Sequence, residues 1–280
     1  MCKTKQKRYL VFSRIIGIIL LTMITVLLTG CKKKGAAAMI EELGGIVWYD
    51  EKIPERPIVK VFFNGLDITD ANLVHVKGLI SLEELGLKDT QVGDPGLEHL
   101  KGLTSLQRLY LGNTNVTDAG LEHLKGLTSL QWLNLANTNV TDAGLEHLKG
   151  LTSLQWLSLG NTKVTDAGLE YLKGLRSLGG LRLYRTKITD AGLEHLKGLT
   201  NLGELNLSDT QVGDPGLEHL KGLTNLRQLD LVGTQVSDLG LEHLKGLTSL
   251  MVLKIPNTKV TNAGGNELKK ALPNCKVYGR

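Results

Sequence analysis

A run of 24 residues at 106–129, LQRLYLGNTNVTDAGLEHLKGLTS, recurs along the chain with few changes. Its first leucine returns at Leu82, Leu106, Leu130, Leu154, Leu178, Leu202, Leu226 and Leu250, with no insertion or deletion, and a weaker copy starts at Ile58. A constant period of this length marks a solenoid, in which each rung buries its apolar face only against its neighbours.

Within the unit, Leu106, Leu109 and Leu111 fit L-x-x-L-x-L, so Leu109 and Leu111 alternate as on a strand with one buried face. Thr114 ends the strand and Val116 turns back inward. Asp118 is predicted to cap a short helix, with Leu121, Leu124 and Leu127 facing the core. Pro95 and Pro215 stand where Ala119 stands here, which suits a first helical position and makes Asp94 and Asp214 read as N-caps. The whole column, Asp70, Asp94, Asp118, Asp142, Asp166, Asp190, Asp214 and Asp238, reads as capping rather than catalysis. Gly126 and its equivalents are read as helix ends, with Lys125 beside the negative terminus. Strands ~4.8 Å apart joined to helices ~10 Å apart predict a bend with the strands inside. Six leucines per rung, each contributing roughly 1.5–3 kcal/mol when buried, explain how a chain with only 4% aromatic residues builds a core.

The pattern L-x-x-L-x-L-x-x-T-x-V-T-D-A-G-L-x-x-L resembles the leucine-rich repeats of bacterial extracytoplasmic lipoproteins, abundant in planctomycetes. It also resembles the repeats of eukaryotic F-box receptor proteins. The likeness spans about Ile58 to Tyr278. It implies an α/β fold: a right-handed leucine-rich repeat solenoid with a curved parallel sheet on the concave face and short helices on the convex face. It further implies partner recognition by the concave face, without catalytic residues there. Two departures stand out. Thr90, Thr114, Thr138, Thr162, Thr186, Thr210, Thr234 and Thr258 hold a turn position where many such repeats carry Asn or Cys, and no F-box-like helical segment precedes the repeats. A substrate-adaptor role is thus an alternative by repeat similarity alone.

Residues 1–30 read as an export signal. Lys3, Lys5, Lys7, Arg8 and Arg14 form a basic start without an acid, an apolar run follows from Ile15 to Leu28, and Leu28-Thr29-Gly30-Cys31 resembles a lipobox. That resemblance implies an acylated Cys31 as mature N-terminus and a membrane-anchored, extracytoplasmic lipoprotein. The apolar run is short for the ~20 residues of a transmembrane span. The chain has 33 basic and 28 acidic residues; the signal takes five basic ones, leaving 28 of each. A nucleic-acid partner loses its support with that balance. Lys32, Lys33 and Lys34 form either a headgroup-facing patch or a solvated tether.

Four segments follow: signal 1–30, tether and N-terminal cap 31–57, repeats 58–262, and C-terminal cap 263–280. In the first cap, a helix over 36–43 and a strand over 46–49 are predicted, with Trp48 packed on the first rung. In the second, a helix from Gly265 to Leu272 stopped by Pro273 and a strand near Cys275 to Tyr278 are predicted. Cys275 is read as a small buried residue, and no internal disulfide is available to the mature chain.

On the concave sheet the third, fifth, seventh and eighth positions of each unit are predicted to be exposed. These positions vary while the leucines do not. Trp132 and Trp156 fall on adjacent rungs, flanked by Arg108 and Tyr110 on one side and by Arg182, Tyr184 and Arg185 on the other. Trp, Tyr and Arg are the types enriched in binding hot spots. Two readings stand: a binding patch, or two indoles stacked to shield the sheet. The ligand on the first reading is a protein segment or, since flat rings suit sugars, a cell-envelope glycan. The histidine column, His75, His99, His123, His147, His195, His219 and His243, reads as a solvated outer face, because helices ~10 Å apart cannot share an ion. With no nucleophile elbow, metal-ligand cluster or phosphate loop, the chain is read as a scaffold without enzymatic activity or cofactor.

Overall fold

A computed structural model describes residues 35–279. The predicted signal, Cys31 and the lysines at 32–34 lie outside those residues. The chain divides into two compact units, 1–39 and 40–280. In the first, the described residues open the helix Ala36–Glu42. The second holds the sheet, described next.

Eleven strands form one sheet in chain order: β1 (Ile46–Tyr49), β2 (Ile58–Phe62), β3 (Glu84–Gly86), β4 (Arg108–Tyr110), β5 (Trp132–Asn134), β6 (Trp156–Ser158), β7 (Gly180–Arg182), β8 (Glu204–Asn206), β9 (Gln228–Asp230), β10 (Val252–Lys254) and β11 (Lys276–Tyr278). β2 to β11 run parallel, each paired in register with the equivalent residues one unit away. β1 is antiparallel to β2, with Trp48 opposite Lys60 and Ile46 opposite Phe62. The middle residue of each repeat strand, from Val61 and Leu85 to Leu253, is buried in a continuous core with the leucines of the helical layer. The outer residues of each strand form two parallel rows on the open face.

Trp48 is not packed on the first rung as expected; it is 58% exposed. The antiparallel pairing puts it in the same row as Lys60, Glu84, Arg108, Trp132 and Trp156, on the open face rather than against the core.

The helical side departs from the expected capping in an informative way. Asp118 is the first residue of the one-turn helix Asp118–Leu121, and Thr117 is its N-cap. The same shift applies to Asp94 and Asp214, whose N-caps are Gly93 and Gly213. The aspartates instead serve the next rung. Thr141 donates its N–H to Asp118 Oδ1 at 2.7 Å and its hydroxyl to Oδ2 at 2.6 Å. Equivalent bonds run from Asp70 to Gly93, Asp94 to Thr117, Asp142 to Thr165, Asp166 to Thr189, Asp190 to Gly213, Asp214 to Ser237 and Asp238 to Thr261. Where glycine replaces Thr or Ser, only the N–H bond remains.

This bridge explains the glycine of each D-A/P-G-L. A Cβ on Gly144 would run into the Asp118 carboxylate and lie 3.2 Å from Asp118 Cα. Consecutive helix N-termini therefore approach far closer than the ~10 Å of ordinary helix packing. Most repeat helices are a single turn followed by a 3-10 turn such as Glu122–Leu124, so little side-chain bulk separates neighbours. Gly126 does not end the helix in a left-handed conformation; of the glycines in that column only Gly78 and Gly102 have positive φ.

The threonine column also has a defined task. Thr114 is buried and donates its hydroxyl to the Leu111 carbonyl at 2.6 Å, and its equivalents from Thr90 to Thr258 make the same bond. The eighth residue of each rung, which precedes this threonine or, in the first rung, Leu66, takes positive φ: Gly65, Asp89, Asn113, Asn137, Asn161, Arg185, Asp209, Gly233 and Asn257. It belongs to a tight turn, not to the strand face. Asn and Asp tolerate this region and Gly prefers it, whereas Arg185 does not.

At the C-terminal end the helix spans Asn262–Ala271, three residues earlier than predicted, because the Thr261 hydroxyl accepts the Gly264 N–H at 3.2 Å and starts it. Cys275 is buried, and burial pushes its thiol pKa up, which keeps it unreactive.

The bridge predicts a specific coupling. Asp142→Ala leaves the Thr165 donors unpaired and should cost about 2–3 kcal/mol. Gly168→Ala should destabilise although alanine is the better helix former, because its Cβ meets that carboxylate. In the double variant the clash is gone, so urea unfolding should show less than the sum of the two losses; additive losses would refute the bridge.

Candidate binding face

The open face is built from what the strands leave free. Along the first row come Trp48, Lys60, Glu84, Arg108, Trp132, Trp156, Gly180 and Glu204. Along the second come Ile46, Phe62, Gly86, Tyr110, Asn134, Ser158, Arg182 and Asn206. Not every outer position is open. Glu84, Gly86, Ser158 and Gly180 are buried. Glycines here seat large neighbours: a Cβ at Gly180 would strike the Trp156 ring, one at Gly160 the Tyr184 ring, and one at Gly86 the Phe62 ring.

Trp132 and Trp156 stack face to face, ring centroids 4.4 Å apart and planes 4° from parallel. Both remain half-buried at the surface rather than sunk among the leucines. Parallel in-register strands bring identical side chains ~4.8 Å apart, which is stacking distance. Tyr110 tilts against Trp132 at 6.5 Å, and the Arg182 guanidinium lies 4.7 Å over Trp156. The sequence-predicted residues thus form one layered cluster, Tyr110, Trp132, Trp156 and Arg182. The broad faces inside it are largely occupied, leaving mainly ring edges toward solvent.

The flanking charges differ from one end to the other. Arg182 is engaged: its Nε and Nη2 both lie 2.9 Å from Glu204 Oε1. Arg185 sits in the left-handed turn, with Nε 3.2 Å from Asp209 Oδ2 and away from the stack's own contacts. Tyr184 lies back over Gly160. At the other end Glu84, 8% exposed, is held by Lys60 Nζ at 3.0 Å and by the Tyr110 hydroxyl, which donates at 3.2 Å. Arg108 Nη1 stands further off, 3.6 Å from Glu84. Burial, and then the negative charge of Glu84, hold the Tyr110 phenol above its ordinary range.

Beyond Arg108, Tyr110, Trp132, Trp156, Arg182, Tyr184 and Arg185, the face holds three features that the residue pattern alone does not single out. Lys60 and Glu84 anchor Tyr110. Gln131 and Gln155 join Arg108, Trp132, Trp156 and Gly179 around a depression of about 380 Å³; the repeated Gln-Trp pair was their signal in the sequence. Trp48 reaches this face only through the antiparallel β1.

The histidine column is less solvated than expected. The Nδ1 atoms of His123, His147, His195 and His219 are buried without a hydrogen-bond partner, while the Glu–Lys pairs beside them, such as Glu146–Lys149 at 3.1 Å, stay exposed. Among the described residues no group of three or more His, Cys, Asp or Glu side chains converges on a common point.

The stack has a spectroscopic signature. Two indoles stacked parallel at 4.4 Å should show hypochromism in near-ultraviolet absorption. It should vanish in Trp132→Phe and in Trp156→Phe, and weaken in Gly180→Ala, where the new Cβ displaces the Trp156 ring. Hypochromism unchanged in all three variants would refute the stacked geometry.

Comparison with known proteins agrees with this architecture. Residues 80–140 and 104–164 match a family described as leucine rich repeat, and 198–221 and 222–245 match a second family of that description. The sequence has no match among curated proteins. Among solved structures, internalin C2 of Listeria monocytogenes is 26% identical with a TM-score of 0.53, over 80% of this chain and 81% of that one. A leucine-rich repeat protein of Leptospira interrogans is 20% identical with a TM-score of 0.59, over 77% of this chain and 59% of that one. A plant peptide hormone receptor in complex with RGF2 is 18% identical with a TM-score of 0.51, over 74% and 37%. One strand and one helical turn per 24 residues, repeated in register, together with these matches make this chain a leucine-rich repeat solenoid.

Proposed function

We propose that this protein is an exported, lipid-anchored scaffold of the planctomycete-like lipoprotein kind, which binds a protein partner on the open face of its repeat sheet, the face expected to be concave. Solenoids of this class typically serve as protein-interaction scaffolds. The observation that carries the reading is the half-exposed cluster of Tyr110, Trp132, Trp156 and Arg182 on that face. A rigid aromatic anchor loses little side-chain entropy on binding, which is why such groups dominate interfaces. A glycan needs an open ring face, and here each indole covers the other while Arg182 covers Trp156. That occupancy favours a protein over a sugar. The anchor rests on the basic start, the apolar run and Leu28-Thr29-Gly30-Cys31. A scaffold role asks nothing of the chain by way of cofactor or catalysis.

Replacing both Trp132 and Trp156 by alanine should abolish capture of a cross-linkable protein partner from native membranes. The melting point should fall only by several degrees, since the stack is worth about 0.5–1.5 kcal/mol. Retained capture would overturn the reading, as would glycan-array binding by the wild type that the double variant loses.

Cys31→Ala should end incorporation of labelled palmitate and leave the signal attached, so that the chain runs heavier on a gel than the wild type. Palmitate incorporation that persists in the variant, or that the wild type lacks, would refute the lipid anchor.

A further inference from the structure

Charges on the open face and on the turns that border it are balanced at every rung but one place. In the third, fifth, seventh and eighth positions of the rungs from β2 to β10, Lys88 pairs with Asp89 at 3.3 Å, Arg182 with Glu204 at 2.9 Å, Arg185 with Asp209 at 3.2 Å and Lys254 with Asp230 at 3.2 Å. Glu84 alone serves two cations, Lys60 at 3.0 Å and Arg108 at 3.6 Å. One positive charge is therefore in excess, and it belongs to Arg108. Lys60 holds the closer contact, Tyr110 takes the other carboxylate oxygen, and the Arg108 side chain remains 45% exposed.

The spare guanidinium opens onto the depression of about 380 Å³ beside the tryptophans. Gln131 and Gln155 line the same space and, among the described residues, their side-chain amides make no hydrogen bond, so they too are available as donors. A planar fork, two amides and an indole wall match a carboxylate carried beside an apolar group. The geometry points to this depression as a pocket for an acidic side chain, Asp or Glu, next to an aromatic or aliphatic residue of the protein partner. The inference rests on the open-face reading above and names the chemistry of what binds there. Electrostatics favour the acid: the local net charge is positive, and the nearest carboxylate, Glu84, is already neutralised by Lys60 at 3.0 Å.

A phage-displayed library of random short peptides, selected on the full chain in detergent, tests the assignment. Enriched peptides should carry Asp or Glu next to an aromatic or aliphatic residue well above the unselected library. A synthetic enriched peptide should bind Arg108→Gln about tenfold more weakly, and Arg108→Lys should restore only part of the loss, because a point charge lacks the fork. Changing the peptide's acid to its amide should weaken binding to the wild type but not to Arg108→Gln. Lys60 still neutralises Glu84 in these variants, so their melting curves should match the wild type. Binding that is lost in Trp156→Ala but unchanged in Arg108→Gln would overturn the acidic pocket and leave the open face standing. Peptides without acidic enrichment would overturn the pocket as well. Binding indifferent to both variants, or no enriched peptide at all, would count against the pocket and the open face together.

Discussion

Each rung leans on a carboxylate of the rung before it. The leucine core supplies most of the burial, but apolar contact is non-directional and would tolerate sliding. The Asp118 side chain does not: it accepts the N–H and the hydroxyl of Thr141 at the next helix start, 23 residues away. That short reach, repeated from Asp70 to Thr261, is the same at every rung because every unit has the same length. The glycine of each D-A/P-G-L is a consequence of the bridge, since any larger residue occupies the place of the carboxylate. Where the hydroxyl is missing, at Gly93 and Gly213, the N–H bond alone remains, and both of these rungs carry proline beside the aspartate, which pre-sets the helical φ.

Because register and burial are secured on the helical side and in the core, the open face is free to carry other information. In-register parallel pairing then imposes its own geometry: whatever stands at one position in neighbouring rungs is brought to contact. Two tryptophans become a stack at 4.4 Å, and an arginine diagonal to them lies over the outer indole. Small residues next door decide how the large ones lie. Trp156 rests over Gly180, and Tyr184 over Gly160. The cluster is held in place before any partner arrives, which lowers the ordering cost of binding.

The repeat, its strand and its buried leucines were legible because a period of 24 leaves one way to bury them. The alternation of Leu109 and Leu111 and the inward Val116 followed from periodicity alone. The aspartates were misread because a carboxylate at the head of a helix has the same local signature whether it caps its own helix or the next one; only the neighbouring rung distinguishes the two. The eighth position was assigned to the strand face because the turn there is visible in its preference for Asn, Asp and Gly, not in hydrophobic pattern. Trp48 was misplaced for a different reason. Its neighbour is set by an antiparallel pairing that breaks the repeat, and β1 lies outside the period that made the rest readable. For the face, the residue types were legible and their division of labour was not: nothing in the sequence says that Arg182 is spent on Glu204 while Arg108 is spare.

The open face is written as departures from an otherwise interchangeable scaffold. The segment from Asp89 to Thr104 returns unchanged from Asp209 to Thr224, so a rung by itself carries little identity. The departures gather in the rungs around the indoles. Gly180 replaces a side chain to make room for Trp156, at the entropic cost glycine brings to a strand. Arg185 occupies a left-handed turn, φ 53°, that every other described rung gives to Asn, Asp or Gly, a conformation costing roughly 1–2 kcal/mol for an ordinary residue. Its ion pair with Asp209 is half-exposed and returns only a part of that cost. Stability alone would place asparagine there, as at Asn161 and Asn257. A rung that gives up strand order at Gly180 and turn geometry at Arg185 serves the surface it presents rather than the stack it belongs to.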